Sequence, residues 1–208
     1  MRSFLTLSVL SLVFLFPYSL NAATLAKSCS TACASPFGKK LGGSNGVIGY
    51  SNCNNECESE EWHKLIIGQQ AYKTGMKWQC VEYARRWYIQ RLGYTFASID
   101  HAYEIWDLET ANKVDSNLSV KWHKFTNGKT REKPRVNDLL IYNKKQGVHG
   151  HVSVVVKLSK GYIYVAEQNY ANTTWENESY ARKILLQRNP QGHYLLKDLG
   201  VIGWMRLA

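Results

Sequence analysis

The helical signal in this chain is confined to its middle. From Trp78 onward, Val81, Ala84, Tyr88 and Leu92 recur at helical spacing and Gly93 supplies a stop, which predicts a helix starting near Cys80. A second helix is predicted from an N-cap at Ser98 to about Asn112, with Ile99, Ala102, Ile105 and Trp106 on its apolar face. Beyond residue 118 the pattern shortens to strand-like runs. These are Val120–Phe125, Asp138–Tyr142, His151–Leu158, Tyr162–Asn169, Ala181–Gln187, Tyr194–Lys197 and Ile202–Arg206, with turns at Asn127-Gly128, Gln146-Gly147, Lys160-Gly161 and Gln191-Gly192. Helices followed by a meander of strands describe an α+β domain, with helices packed on an antiparallel sheet. Residues 24–60 differ in texture. They are rich in Gly, Ser, Asn and Cys and carry turn signals at Ser35-Pro36-Phe37-Gly38 and Leu41-Gly42-Gly43, so they read as a loop-rich arm.

The first residues add a targeting signal. Arg2 precedes an uncharged run from Phe4 to Phe16, Pro17 ends it, and Leu20-Asn21-Ala22 offers a small-residue cleavage site. The pattern fits a secretory signal peptide over 1–22, hence a secreted or periplasmic protein, with a retained anchor as the lesser reading. An arm over 23–60 and one domain over 61–208 would follow. The full chain of 208 residues has a formal net charge of +10, and loss of a leader whose one charged side chain is Arg2 leaves +9. That surface favours anionic partners. No basic-aromatic motif points to nucleic acid, and no later segment predicts stable membrane insertion. The acidic run Glu56, Glu58, Glu60 and Glu61 reads first as a solvated loop, and otherwise as a local site for a polyamine.

The five cysteines divide unevenly. Cys29, Cys33, Cys53 and Cys57 fall early and, in an exported chain, suit two disulfides with three possible connectivities. A zinc site is the alternative, although the spacings are unusual for one. Cys80 is left over at the start of the predicted helix. Free N–H groups and the positive end of the helix dipole favour a thiolate there.

A base comes from hairpin geometry. If Leu158 faces Tyr162 across the turn at Ser159-Lys160-Gly161, His151 faces Asn169 and Glu167 is its diagonal neighbour. A one-residue slip would separate them. Glu167 sits at the end of the apolar run Tyr162–Ala166, where a carboxylate needs a partner. It would fix the imidazole tautomer, and Asn169 could orient either group. His149 is a rival base. His149-Gly150-His151 lacks the further ligands a metal would need. Gln79 could turn its amide toward a developing oxyanion, beside the Cys80 N–H.

Lys77-Trp78-Gln79-Cys80-Val81-Glu82-Tyr83-Ala84-Arg85-Arg86, Gly150-His151-Val152 and Ala166-Glu167-Gln168-Asn169 together resemble the cysteine, histidine-dependent amidohydrolase/peptidase (CHAP) family. Within it they resemble the amidase domains of bifunctional glutathionylspermidine synthetase/amidases. The resemblance implies a papain-like α+β fold of the NlpC/P60 type. It implies Cys80 as nucleophile, His151 as base, Glu167 and Asn169 as their supports, Gln79 at the oxyanion position and Arg85 reaching the substrate. It also implies hydrolysis of a glutathionylspermidine-type amide through a thioester, with no metal or organic cofactor. Cleavage of peptidoglycan peptides is the alternative, and a catalytically dead binding module is a third reading that the intact residue set disfavours.

Overall fold

The computed structural model describes residue 29 and residues 31–208. The expected leader lies outside the described residues. The arm expected to be loop contains a hairpin, β1 (Lys40–Ser44) with β2 (Val47–Tyr50), tightly turned at Asn45-Gly46, where both residues have positive φ. A second, largely exposed hairpin follows, β3 (Trp62–Ile67) with β4 (Gln70–Met76), which the hydrophobic pattern did not predict. Mixed polar and apolar residues on both of its faces give no clean alternation.

Helix α1 runs from Cys80 to Leu92 and ends at Gly93, whose φ of 72° lets its N–H bond the Ile89 carbonyl. The predicted apolar stripe is displaced. Tyr83, Ala84, Trp87 and Tyr88 are fully buried, while Val81 and Leu92 are only half-buried. Glu82, Arg85 and Arg86 are buried as well, because elements cover α1 on more than one side. The N-terminal hairpins account for part of this. Arg86 donates to the Ile48 carbonyl in β2 and Arg85 to the Thr74 carbonyl in β4.

The second predicted helix does not form, so α1 is the one α-helix among the described residues and the expected packing of several helices on the sheet is corrected. Ala102–Asp107 makes a short 3-10 segment. The chain then turns extended at Leu108 and enters a strand, preceded in the sequence by β5 (Tyr94–Thr95). That strand, β6 (Thr110–Lys113), pairs with both β5 and β7 (Ser119–Thr126) and buries Ala111. Sheet pairing outweighs a modest helical periodicity here.

The predicted strands after residue 118 all appear, with ends shifted by a few residues. They are β7, β8 (Leu139–Tyr142), β9 (His151–Ser159), β10 (Tyr162–Ala166), β11 (Arg182–Arg188), β12 (Tyr194–Leu196) and β13 (Val201–Leu207). They form an antiparallel sheet in the order β12-β11-β10-β9-β8-β13-β7-β6-β5. Successive residues of β8 serve opposite faces. Leu139 and Ile141 join Tyr83, Ala84, Trp87 and Tyr88 of α1 in one core, while Leu140 and Tyr142 join Val155, Ile163, Val165 and Trp204 in a second. Each such aliphatic side chain contributes about 1.5–3 kcal/mol on burial.

His151 owes its place to Gly150. Gly150 has φ of 65°, and a Cβ there would stand 2.5 Å from the Tyr142 carbonyl oxygen and 3.1 Å from Tyr103 Cβ. Gly150→Ala is therefore expected to lower stability by about 1–3 kcal/mol and to displace His151. Denaturant unfolding checks the first effect. Loss of the His151–Glu167 contact in a crystal structure of the variant checks the second.

Candidate active site

Cys80 is the first residue of α1, 8% exposed, and the free cysteine among the described residues. The N–H groups of the first turn have no carbonyl within the helix to bond. The Tyr83 N–H makes the first turn's return bond, to the Gln79 carbonyl.

The other half of the site depends on the β9–β10 hairpin. Lys160 and Gly161, both with positive φ, make the tight turn. Near the turn the register is one residue away from expectation, since Ser159 faces Tyr162 and Leu158 faces Ile163. A bulge at Val156 absorbs the extra residue, so Val155 faces Val165 and Val154 faces Ala166, which is the register expected for His151 and Glu167. His151 Nε2 lies 2.8 Å from Glu167 Oε2, and both residues are almost completely buried. Nδ1 is left to face Cys80, which lines the same cleft and acts on the imidazole. Burial pulls the imidazole pKa down, but the interactions with Cys80 and Glu167 outweigh it and raise the pKa to about 9. Glu167 is pushed up by burial, yet Arg182 and His151 together hold it below the usual carboxylate range.

Asn169 departs from its expected partner. Strand β10 ends at Ala166, and at Asn169 the backbone is left-handed, with φ of 51°. Its Nδ2 donates to Gln79 Oε1 at 2.6 Å, and its Oδ1 accepts from Asn52 and Asn172, each at 3.2 Å. The amide thus orients Gln79 and not His151. Gln79 Nε2 in turn donates to the Cys57 carbonyl at 2.8 Å, which leaves its second N–H free to face the cleft.

Cys57 belongs to the arm, and nested disulfides Cys29–Cys57 and Cys33–Cys53 resolve the connectivity. The sulfurs of Cys29, Cys53 and Cys57 lie within 4.8 Å of one another, but the disulfides leave them no thiolates to offer zinc.

Arg85 lies elsewhere. It is buried, donates to the carbonyls of Thr74, Phe96 and Ala97, and does not line the cleft containing Cys80. That cleft has a volume of about 650 Å³. Gln79, Cys80, His151 and Asn169 line its base, Glu56 and Glu58 one part of its wall, and Lys145 and His149 another. His149 Nδ1 contacts His101 Nδ1 at 2.8 Å, away from Glu167.

The residues that sequence reasoning missed stand behind the site. Arg182 bonds Glu167, Asp198 and Tyr142. In α1, Glu82 accepts from Arg86 (2.7 Å), Thr74 (3.0 Å) and Gln168 (2.9 Å) and contacts His63 Nδ1 at 2.9 Å. Gln168 also accepts from Arg86 and the Tyr50 N–H, tying the segment after β10 to α1 and β2. The i,i+4 spacing of Glu82 and Arg86 was a legible signal for an ion pair. Arg182, across a loop from Glu167, carried none.

Residues 71–169 match the family model described as the CHAP domain. The chain carries a CHAP domain. Over 166 residues it is 31% identical to "Trypanothione synthetase" of Crithidia fasciculata, an alignment covering 79% of this chain and 24% of that protein. It is 29% identical over 186 residues to "Bifunctional glutathionylspermidine synthetase/amidase" of Escherichia coli (strain K12), covering 85% of this chain and 30% of that one. The CHAP chain thus spans less than a third of the length of these curated relatives. The CHAP match and the amidase named among these relatives both support a hydrolase.

The Glu82 cluster generates a stability prediction. Burial raises the Glu82 pKa, but the His63 hydrogen bond and Arg86 more than compensate and lower it from 4.5 to about 2. A depressed carboxylate pKa stabilises the fold above the unfolded-state value, and that stabilisation is lost as pH falls through the folded value. Unfolding free energy should therefore decline between pH 4.5 and about 2, and Glu82→Gln should flatten that decline while costing about 3–5 kcal/mol at neutral pH. Denaturant titrations of both proteins across this range check it.

Proposed function

We propose that this CHAP chain is an exported cysteine amidase with Cys80 as nucleophile, His151 as base and Glu167 as the acid that orients it. The observation that carries this reading is the contact line from Cys80 through His151 to the buried Glu167 at the base of an open cleft. In the resting pair His151 Nδ1 already holds the Cys80 proton as an imidazolium, and the thiolate sulfur attacks the amide carbon. The oxyanion so formed meets the free N–H of Gln79 and the backbone N–H of Cys80. Asn169 acts through Gln79. The imidazolium returns its proton to the departing amine, leaving a thioester, and water activated by His151 releases the acid and restores the thiol. The nested disulfides support an oxidising compartment.

For substrate, we infer a glutathionylspermidine-type amide. The relatives named for glutathionylspermidine synthesis and amidase activity support this, as does a cleft with Glu56 and Glu58 on its wall and Lys145 elsewhere on the same wall. An acidic wall suits a cationic amine leaving group, and Lys145 suits an anionic acyl part. The second reading, cleavage of wall peptides, is favoured by the net charge of +9 without the leader.

Cys80→Ala should reduce turnover by a factor of at least about 1000, and His151→Ala by about 100–10,000, while His149→Ala stays near wild type. A dead His149 variant with an active His151 variant would sink the assignment. Because the working imidazole must be protonated, kcat/KM should hold to about pH 9 and fall above it as the imidazolium loses its proton.

Mass spectrometry of products from glutathionylspermidine and from peptidoglycan fragments separates the substrates. With the conjugate as substrate, Glu56→Lys should raise KM about fivefold at low salt with little change in kcat. Release of wall peptides without cleavage of the conjugate would overturn the first reading in favour of the second.

A further inference from the structure

Arg182 opens β11 and is only 14% exposed at its side chain. Its Nε donates to Glu167 Oε1 at 2.6 Å, the oxygen that His151 leaves unused. Nη1 donates to Asp198 Oδ2 at 2.6 Å and Nη2 to the Tyr142 hydroxyl at 3.0 Å. The Tyr170 ring lies over the guanidinium, 4.1 Å from its centre. All three nitrogens are engaged, and the planar fork is held from one face.

The chemistry of Glu167 gives this arrangement a purpose. A carboxylate so buried takes up a proton unless cations meet it. His151 can meet that need only while it is charged. In the proposed cycle the imidazole is neutral throughout the acyl-enzyme stage, after it gives its proton to the departing amine and before it takes one from the attacking water. At that stage Arg182 is the cation that remains, and its guanidinium does not deprotonate. Were Glu167 to become a neutral acid, its proton could occupy Oε2, and the Nε2–H of His151 would lose its acceptor. The imidazole would then be free to turn or to present the wrong tautomer to Cys80.

We propose that Arg182 is a positioning residue for the amidase reaction, a permanent counter-cation that keeps Glu167 ionised and its second oxygen aimed at His151 through the neutral half of the imidazole cycle. The proposal rests on the Cys80–His151–Glu167 reading. The charged and titratable groups facing Glu167 are His151 from β9, Arg182 from β11, Tyr142 from β8, Tyr83 from α1 and Asp198 from the loop before β13. Burial holds both tyrosines protonated, so Asp198 is the other anion of the group. Asp198 competes with Glu167 for the same guanidinium.

That competition gives the test two opposite signs. Glutamate labelled with ¹³C at Cδ, with the Glu167 resonance assigned through Glu167→Gln, reports the titration directly. In folded Arg182→Gln the Glu167 carboxyl should titrate higher by at least about one pH unit, a tenfold gain in proton affinity, and the acid limb of kcat/KM should move with it. Arg182→Lys should restore most of both. Asp198→Asn should move both downward, since it frees the guanidinium and removes an anion. Arg182→Met retains the apolar stem against Tyr170 and replaces the Gln variant if that does not fold.

A purely architectural Arg182 would lower activity equally at every pH and leave the Glu167 titration in place. That result in a folded variant overturns the proposal. Failure of the underlying reading looks different. Cys80→Ala would retain turnover, while the Glu167 titration would still decide for or against Arg182.

Discussion

A carboxylate removed from water has to be met by cations or hydrogen-bond donors, and this fold is organised around two that are. Glu167 lies between His151 and Arg182, on the face of the sheet that carries Tyr142. Glu82 lies among Arg86, Thr74, His63 and Gln168, beside α1. The two clusters are joined through adjacent residues, because Gln168 follows Glu167 in sequence and reaches Glu82 and Arg86. The segment after β10 is thereby fixed to α1 by polar contacts buried in the protein, where breaking one partner leaves another unsatisfied. Cys80 at one end of α1 and His151 at one end of β9 are held together by this frame more than by packing alone.

The arm extends the same logic outward. Asn172 is buried and accepts from the Asn52 N–H, donates to Asn55 and Asn169, and offers its carbonyl to Ser35. Asn52 bonds the Cys57 carbonyl, which also receives Gln79. Nested disulfides hold this stretch in shape, and Trp175 closes it from beyond the site. A Cβ at Gly42 or Gly49 would overlap the Trp175 indole, so the β1–β2 hairpin approaches that ring through its glycines. The wall of the cleft and the orientation of Gln79 are products of one small, cross-linked layer.

Much of this was legible beforehand. The strands from β7 to β13 declared themselves through alternation and turn residues. His151 meets Glu167 as the hairpin argument required, even though the turn end is out of step. What stayed hidden depended on distant partners. Residues 98–112 read as one helix because the pairing of β6 with β5 and β7 carries no local signature. The β3–β4 hairpin was missed because neither of its faces is consistently apolar. Arg85 matched a motif by position, yet three backbone carbonyls take its donors. Asn169 was expected at His151 because strand alternation was extended past the point where the backbone turns left-handed. Arg182 could be recognised only once β11 lay beside β10.

The bulge at Val156 has a bearing on how this hairpin can vary. An ordinary two-residue-period ladder transmits any insertion or deletion along its whole length, exchanging the inward and outward sets of side chains. Here the ladder has a slip joint part-way along. The tip around Lys160 and Gly161 keeps its own phase, and the stretch from Val155 to His151 keeps another. A lineage could gain or lose one residue at the tip, with the joint lost or remade in step, and His151 would still meet Glu167. The tip is thus insulated from the chemistry, and so it is the part of the hairpin with most freedom to diverge.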